Sequence, residues 1–248
     1  MGGLSIAAAI HTLLPHESLL YYADHAHFPY GSRSEDEVRQ LALNAAGFLI
    51  ERGAKLVVVA CNTASSVALS DLRATYHVPF VGVVPGVKPG TAISHVAKVG
   101  VLATEATFHT KVFADLVGQF ASGVEIISQQ CPDLVSLVEA GLVDTEQADS
   151  LVHGYITPLL DQGVDTVVLG CTHYSFLSPL IERAAGPSVT IVDTAIPVAK
   201  QVRRVLETND RLSDNLTDGQ VQFFSSGVLS EFLTVAGKLW PEGVKASR

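Results

Sequence analysis

Two cysteines in this chain each follow a short apolar run and are followed at once by polar residues. Cys61 comes after residues 56–60 and Cys171 after residues 166–170. Such a run is too short for a helix and is typical of a buried parallel strand. Open α/β sheets bind their ligands at the edge where parallel strands end. A thiol at that edge can serve as an acid, a base or a nucleophile.

The two cysteines belong to an internal repeat. Residues 51–63 align with residues 161–173 without a gap, so that Gly53 falls on Gly163 and Cys61 on Cys171. The offset is close to half of the 248 residues, which makes each repeat a half-protein. A cysteine at the end of one strand can simply be a small buried hydrophobic residue. A matched pair instead favours two thiols at equivalent strand ends, facing one cleft.

The composition limits the classes of protein that this chain can belong to. A formal charge of −9 argues against nucleic acid or an anionic membrane surface as the main partner. No apolar run approaches the roughly 18 residues of a membrane span, and the N-terminus does not resemble a secretory signal. Three cysteines without other disulfide features indicate free thiols in a reducing cytoplasm.

The alternation of short apolar runs with helical segments predicts an α/β fold with parallel sheets. We expect two pseudo-symmetric α/β domains, with the active site in the cleft between them. The first domain comprises residues 1–95 and 208–248, the latter being a tail that returns to it. The second domain comprises residues 96–207.

The start of the first half departs from the repeat. The second half opens with an apolar run at residues 99–103, whereas the first half opens with the loop at Gly2 and Gly3. We therefore expect this chain to be without one central parallel strand of the first sheet. A start codon placed too late would explain this, and so would a truncated or decayed paralogue.

Two thiols facing one cleft admit several chemistries. A disulfide oxidoreductase usually has Cys-x-x-Cys, which is absent, and a zinc site needs more ligands than two cysteines and one histidine. His25 and His27 lack further ligands at metal-like spacing, so we predict no metal. A cysteine hydrolase has no use for a second thiol. A racemase needs an acid and a base on opposite faces of one carbon, and two similar halves supply them.

Residues 58–64 and 169–174 resemble the two active-site motifs of the glutamate racemases, in the aspartate/glutamate racemase family. Residues 29–31, 103–107 and 137–141 also resemble family segments, in the same order, so the resemblance covers essentially the whole chain. It implies cofactor-independent interconversion of L- and D-glutamate, which supplies D-glutamate for peptidoglycan synthesis. One thiolate removes the α-proton, and the opposite thiol delivers a proton to the other face. The resemblance also suggests a homodimer.

The resemblance assigns a role to individual residues. The residues that it implies for catalysis are Cys61, Cys171, His173 and Glu139. Those that it implies for substrate binding are Tyr30, Gly31, Asn62, Thr63, Thr104, Thr107, Thr172 and His173. Amides and hydroxyls at these places suit a substrate with two carboxylates, and a helix N-terminus lowers the pKa of a thiol from its usual value of about 8.5. From residue type alone, Glu139 could be a solvated helix residue and His173 a helix cap. Cys131 matches a third family cysteine and is expected to be structural.

The sequence differs from the family in two places. In the family a strand ending in Asp-Ser-Gly precedes the Gly-Gly pair, and its Asp and Ser contact the substrate amino group. Residues 24–27 are Asp-His-Ala-His, where the family usually has Asp-Thr-Ala-Arg. Two alternatives therefore stay open. One is a catalytically impaired binding protein with the racemase fold, and the other is a racemase of another acidic amino acid such as aspartate. The Gly-Cys-Thr-His-Tyr motif favours glutamate.

Overall fold

The computed structural model describes residues 1–240 and 246–247. The α-helices are α1 (Gly3–Leu13), α2 (Glu35–Glu51), α3 (Asn62–Thr75), α4 (Val87–Ile93), α5 (Glu105–Phe108), α6 (Lys111–Phe120), α7 (Pro132–Glu139), α8 (Glu146–Asp161), α9 (Ser178–Ala185), α10 (Ala195–Thr208) and α11 (Leu229–Leu239). Short 3-10 turns lie at His25–His27, Tyr30–Ser32 and Thr172–Leu177. Ser34 begins α2 with the reciprocal hydrogen bonds to Glu37 that its sequence predicts.

The strands are β1 (Leu19–Ala23), β2 (Val57–Val59), β3 (Phe80–Gly82), β4 (Lys98–Ala103), β5 (Glu125–Gln130), β6 (Thr166–Leu169), β7 (Thr190–Val192), β8 (Val221–Ser225) and β9 (Ala246–Ser247). Every pairing among them is parallel. The parallel α/β class predicted from the sequence is therefore confirmed.

The chain divides into two compact units, as expected. The first contains residues 1, 3–83 and the chain from Ala195 onward, and the second contains residues 2 and 84–194. Both boundaries differ from those that the sequence predicts. Helix α4 groups with the second unit, because Val87 packs into the core formed by β4 and β6. Helix α10 groups with the first unit, because its buried apolar face packs against α1 and β3.

The second unit has one four-stranded sheet in the order β5-β4-β6-β7. Strand β6 is buried along its whole length, and β4 is buried at every position after Lys98. These two strands lie in the middle of the sheet and carry apolar side chains on both faces, as interior parallel strands do. The core residues that they share with helices α4 and α6 are Val87, Val99, Val101, Ala103, Phe113 and Val168.

The sheet of the first unit is divided. Strands β1, β8 and β9 form one sheet, and β2 and β3 form another. The repeat equates β2 with β6, and in the second unit β6 pairs with the central strand β4. Within the part of the chain that the structure describes, no strand of the first unit occupies the position equivalent to β4. The C-terminal segment adds to this unit, because β8 pairs with β1 and Phe232 of α11 stacks on Tyr21 with ring centroids 5.7 Å apart.

We also find that none of the helices within residues 1–240 combines the length and the apolar character needed to cross a membrane.

Candidate active site

Cys171 lies at the carboxyl end of β6, in the middle of the second unit's sheet. The strand ends at Leu169, and the Gly170 N–H then donates to the Leu102 carbonyl oxygen at 2.7 Å. Gly170 allows this close approach, because a Cβ there would lie 2.9 Å from that same oxygen. Cys171 itself is extended and precedes the 3-10 turn that begins at Thr172. The sequence run and its terminal glycine thus deliver the thiol to the edge where ligands bind.

His173 and Glu139 form a hydrogen-bonded chain with this thiol. The Cys171 Sγ lies 3.5 Å from His173 Nδ1, and His173 Nε2 lies 2.6 Å from Glu139 Oε1. The two side chains of the His173–Glu139 pair are only 15% and 11% exposed. Glu139 is therefore a buried partner of the imidazole, and not a solvated residue at the end of α7.

Burial and hydrogen bonding give His173 and Glu139 different protonation states. Burial disfavours the imidazolium and lowers the pKa of His173, which keeps the ring neutral. Burial also opposes ionisation of Glu139, but the hydrogen bond with His173 and nearby positive charge together lower the pKa of the carboxyl to about 2. A neutral ring facing a carboxylate donates its Nε2–H and leaves the lone pair of Nδ1 directed at the thiol. His173 is thus placed to accept the proton of Cys171.

Hydroxyl groups lie at the same edge of the sheet. Thr104 follows β4, and its hydroxyl oxygen is 3.0 Å from that of Thr107. Thr107 and Thr172 are both buried. These three threonines, predicted as substrate-binding residues, belong to the loops after β4 and β6, which are neighbouring strands.

Cys131 takes part in a buried hydrogen bond close to this edge of the sheet. It is fully buried, and its carbonyl oxygen accepts a hydrogen bond of 2.8 Å from the hydroxyl of the equally buried Tyr174. Burial raises the pKa of the Cys131 thiol, so the group stays protonated at neutral pH. These features fit the structural role expected for Cys131.

Cys61 holds the equivalent position in the first unit. It follows β2 and begins α3, with backbone angles φ −140° and ψ 126° that nearly equal the −137° and 132° of Cys171. Ser65, one turn into α3, donates to the Val59 carbonyl oxygen and accepts from the Val83 N–H. This serine therefore fixes the start of the helix against the ends of β2 and β3, and with it the position of the thiol.

The environment of Cys61 differs from that of Cys171. Burial raises the pKa of the Cys61 thiol, although the backbone N–H groups of Ala64 and Thr63 and the Thr63 hydroxyl favour the thiolate. Asn62 is buried beside it at the first position of α3. Amides at a helix N-terminus therefore stabilise the thiolate of Cys61, whereas the neighbour of the Cys171 thiol is an imidazole.

The loop after β1 brings Tyr30 and Gly31 towards Cys61. The 3-10 turn at Tyr30–Ser32 packs on α3, and a negative charge on Cys61 would raise the pKa of Tyr30. The Tyr30 hydroxyl donates to Asp24 Oδ2 at 2.5 Å, while His27 Nδ1 lies 2.7 Å from Asp24 Oδ1. Burial is the largest cause that raises the pKa of Tyr30, and the hydrogen bond to Asp24 is the next. The phenol therefore stays protonated.

Asp24 is a residue of this site that the sequence analysis did not assign. Burial opposes its ionisation, but the hydrogen bonds from His27 and Tyr30 lower its pKa. The signal in the sequence is its place directly after β1, since ligands bind where parallel strands end. Among the described residues, no cluster of three or more His, Cys, Asp or Glu side chains could hold a metal ion.

The fold and the paired thiols define a class of enzyme. Residues 4–202 match the sequence profile of the Asp/Glu/Hydantoin racemase family, and the chain belongs to that family. The predicted enzyme class, an isomerase that racemises an amino acid, is therefore confirmed.

Its relatives within the family are glutamate racemases. The chain is 46% identical over 245 residues to the glutamate racemase of Methylococcus capsulatus, which covers 97% of this chain and 89% of the relative. It is 43% identical to that of Herpetosiphon aurantiacus, covering 95% and 92%. In structure it is similar to the Bacillus anthracis isoform RacE1, with a TM-score of 0.87, 32% identity and coverage of 100% and 94%.

A further solved relative is the Escherichia coli glutamate racemase, in complex with L-glutamate and the activator UDP-MurNAc-ala. Its TM-score is 0.85 at 30% identity, with 97% of this chain and 92% of that one covered. The resemblance to glutamate racemases inferred from the two cysteine motifs is confirmed by these comparisons.

Proposed function

We propose that this protein interconverts L- and D-glutamate without a cofactor, using Cys61 and Cys171 on opposite faces of the α-carbon. The observation that carries the proposal is the matched placement of the two thiols. Each follows a parallel strand, each precedes a helical turn, and their backbone angles agree within a few degrees. One of them, Cys171, already has a neutral imidazole at hydrogen-bonding distance.

The reaction is a transfer of two protons. The Cys171 thiol first gives its proton to His173 Nδ1, and Glu139 stabilises the imidazolium that forms. The thiolate then takes the α-proton, so that the C–H bond breaks and an S–H bond forms. The electron pair left on the α-carbon accepts a proton from the Cys61 thiol on the other face. In the reverse direction Cys61 is the base and Cys171 the acid.

The polar groups beside the thiols support an acidic amino acid as substrate. The amides of Thr63 and Ala64 at the start of α3, with the hydroxyls of Thr63, Thr104 and Thr107, are donors suited to carboxylates. We assign Tyr30, Gly31, Asn62 and Thr172 to the same task, and glutamate as the substrate, because the relatives are glutamate racemases. The Escherichia coli relative binds L-glutamate.

D-glutamate made in this way would supply peptidoglycan synthesis. All three cysteines are free thiols in the structure, which supports a reducing compartment such as the cytoplasm.

A second candidate function is a binding protein that keeps the racemase fold and does not turn over its ligand. The divided sheet of the first unit favours this alternative, because Cys61 is held by the part of that sheet with fewer strands. It predicts that the protein binds glutamate without exchanging its α-proton.

The experiment compares Cys61→Ser and Cys171→Ser with Cys131→Ser as the matched control. Racemisation of each enantiomer is followed by circular dichroism, and exchange of the α-proton is followed by NMR in D₂O. We expect both site variants to lose racemisation, because a hydroxyl is a far weaker base than a thiolate, while each retains exchange from one enantiomer only. Cys131→Ser should stay active. Near-normal racemisation in either site variant contradicts the two-thiol assignment, and binding without any exchange in the unsubstituted protein favours the second candidate.

A further inference from the structure

The loop after β1 and the turn after β8 meet directly beyond the ends of these two paired strands. In the parallel β1–β8 pair, Ala23 lies opposite Ser225, and the Ser226 N–H donates to the Ala23 carbonyl oxygen at 3.0 Å. A Cβ at Gly227 would lie 3.5 Å from the Ala26 nitrogen, which is ordinary van der Waals contact. The two segments therefore touch, although 200 residues separate Ala26 from Ser226 in the sequence.

The hydroxyl of the half-buried Ser226 joins the two segments. Its oxygen accepts a hydrogen bond of 3.0 Å from the Ala26 N–H. Its O–H donates to the carboxylate of Asp24, whose side chain is only 11% exposed. Burial opposes the ionisation of Asp24, and the hydrogen bonds that the carboxylate accepts lower its pKa. One hydroxyl thus binds both the backbone of the loop and the carboxylate inside it.

Ser226 ties Asp24 to an element outside its own loop. The Asp24 Oδ1 lies 2.7 Å from His27 Nδ1, and its Oδ2 accepts from the Tyr30 hydroxyl at 2.5 Å. Both of these partners belong to the loop at residues 24–33, so they can move together with Asp24. Ser226 instead follows β8 directly, and its backbone is hydrogen-bonded to β1. The Ser226 hydroxyl therefore fixes the carboxylate, and with it Tyr30, relative to the sheet.

The 3-10 turn that begins at Tyr30 packs on α3, the helix that Cys61 directly precedes. We propose that Ser226 is a positioning residue of the active site, which holds the loop at residues 24–33 so that Tyr30 lies beside Cys61. This inference rests on the proposed racemase function, in which Tyr30 binds the substrate. Ser226 acts through Asp24 and Tyr30, and not on the reacting atoms. Loss of its hydroxyl should therefore weaken substrate binding more than it slows the proton transfers.

The test compares Ser226→Ala with Ser226→Thr, which keeps the hydroxyl. The matched control is Ser230→Ala, because Ser230 is an exposed serine in the first turn of α11. Racemisation of glutamate, followed by circular dichroism, gives kcat and KM for each variant. Amide exchange of residues 24–33 is followed by mass spectrometry. The backbone hydrogen bond of Ser226 is present in all variants, so the comparison isolates its side chain.

We expect Ser226→Ala to raise KM about 10-fold and to change kcat by less than about threefold, since a hydrogen bond to a charged group is lost. Amide exchange in the loop should become about 10-fold faster. Ser226→Thr should restore both quantities, and Ser230→Ala should equal the unsubstituted protein. A general loss of stability would instead lower the active fraction, and hence the apparent kcat, without changing KM.

Two results would overturn the proposal. One is unchanged loop exchange in Ser226→Ala, and the other is faster loop exchange with an unchanged KM. If the unsubstituted protein does not racemise glutamate, the proposed function fails. The Kd for glutamate, measured by calorimetry, then takes the place of KM, and the loop exchange still decides whether Ser226 holds the loop. The two failures are therefore distinguishable.

Discussion

At the scale of single residues, the two thiols have different neighbours. Cys171 faces a neutral imidazole that is itself held by an ionised carboxylate, whereas Cys61 faces the amides of a helix N-terminus. Burial lowers the pKa of His173 most, and the hydrogen bond with the Glu139 carboxylate partly opposes burial by favouring the protonated ring.

Glu139→Gln should therefore slow racemisation by about 100-fold, at the lower end of general acid–base effects. Without the carboxylate, the pKa of His173 falls further below its usual value, so His173 becomes a weaker base. Since activity requires the neutral ring, the acid limb of the pH profile should move to lower pH. Exchange of the α-proton should fall most for the enantiomer whose proton Cys171 removes.

Asp133→Asn is the matched control for this substitution. Asp133 is an exposed acid on the same helix, and it contacts the Tyr155 hydroxyl at 2.7 Å. It should leave both rate and pH profile unchanged. An unshifted acid limb in Glu139→Gln would mean that Glu139 does not act through His173.

The sequence predicts roles for the thiols, His173 and Glu139 by two routes. The cysteines follow short apolar runs at strand ends, whereas the family resemblance implies the roles of His173 and of Glu139, which ends α7. Asp24 could not be assigned, since its contact with Tyr30 depends on how the loop at residues 24–33 folds back on itself. Local sequence specifies the strand end that precedes Asp24, but the partner of its carboxylate is set by the loop's three-dimensional path.

At the scale of elements, carboxylates that accept hydrogen bonds from loop residues hold the loops between helices and strands in place. Asp165, directly before β6, accepts hydrogen bonds from the Ser94 hydroxyl and from the N–H groups of His95 and Val96. These bonds outweigh the effect of burial and lower the pKa of Asp165 to about 2. The end of α4 is thereby tied to the start of the strand that delivers Cys171.

Asp165→Asn should destabilise the second unit by on the order of 1 kcal/mol at neutral pH, a value kept small because the side chain is partly exposed to solvent. The folded pKa lies below the unfolded value of about 3.9, so this stability is present above pH 4 and is lost as the pH falls towards 2. Urea unfolding at several pH values should show the difference between the two proteins shrinking over that window.

Asp115→Asn is the corresponding control, because Asp115 pairs with Lys111 on the exposed surface of α6. It should cost little at any pH. A pH-independent loss in Asp165→Asn would indicate that the carboxylate's charge is irrelevant to the turn.

Glu17 fixes the loops of the first unit in a similar way. Its carboxylate is buried, lies 2.7 Å from Lys55 Nζ and accepts from the Ser213 N–H at 2.6 Å. Glu17→Ala should lower the free energy of unfolding by about 2 kcal/mol, less than for a fully buried pair because Lys55 is partly exposed. Glu51→Ala, an exposed change on α2, provides the comparison in urea unfolding, and equal losses would contradict this role for Glu17.

The elements that were predicted well are those that local signals define. The capping residues of α2 and the apolar runs of β4 and β6 can be recognised directly in the sequence. For helices α4 and α10 the predicted domain differs from the compact unit in which each helix packs, because only packing decides which unit an amphipathic helix joins. The apolar face of α10 fits the core beside α1, although the chain reaches it straight from β7 of the second unit.

At the scale of the whole molecule, the proposed mechanism takes its chemistry from side chains of both halves of the protein. The proposed proton transfers use two thiols, an imidazole and a carboxylate, and no step calls for a metal, pyridoxal phosphate or nucleotide. Dialysis against a chelator should therefore leave the rate unchanged, and the absorbance spectrum should end with the protein band. Activity that is lost on dialysis and restored by added metal would contradict this expectation.

The homodimer that the family resemblance suggests stays a prediction about the intact protein. Light scattering coupled to size-exclusion chromatography should give twice the mass of one chain. A mass equal to one chain, under conditions in which the enzyme is active, would show that the assembly is not needed for turnover.

The unequal support of the two thiols has a thermodynamic consequence for the proposed reaction. L- and D-glutamate have identical free energies in water, so the Haldane relation requires the same kcat/KM in both directions. An imidazole beside one thiol and helix amides beside the other cannot make the enzyme favour either product. The difference can appear only in the separate values of kcat and KM for each direction, whose ratio stays the same. The enantiomer whose proton Cys171 removes should therefore differ from its mirror image in kcat and in KM by the same factor.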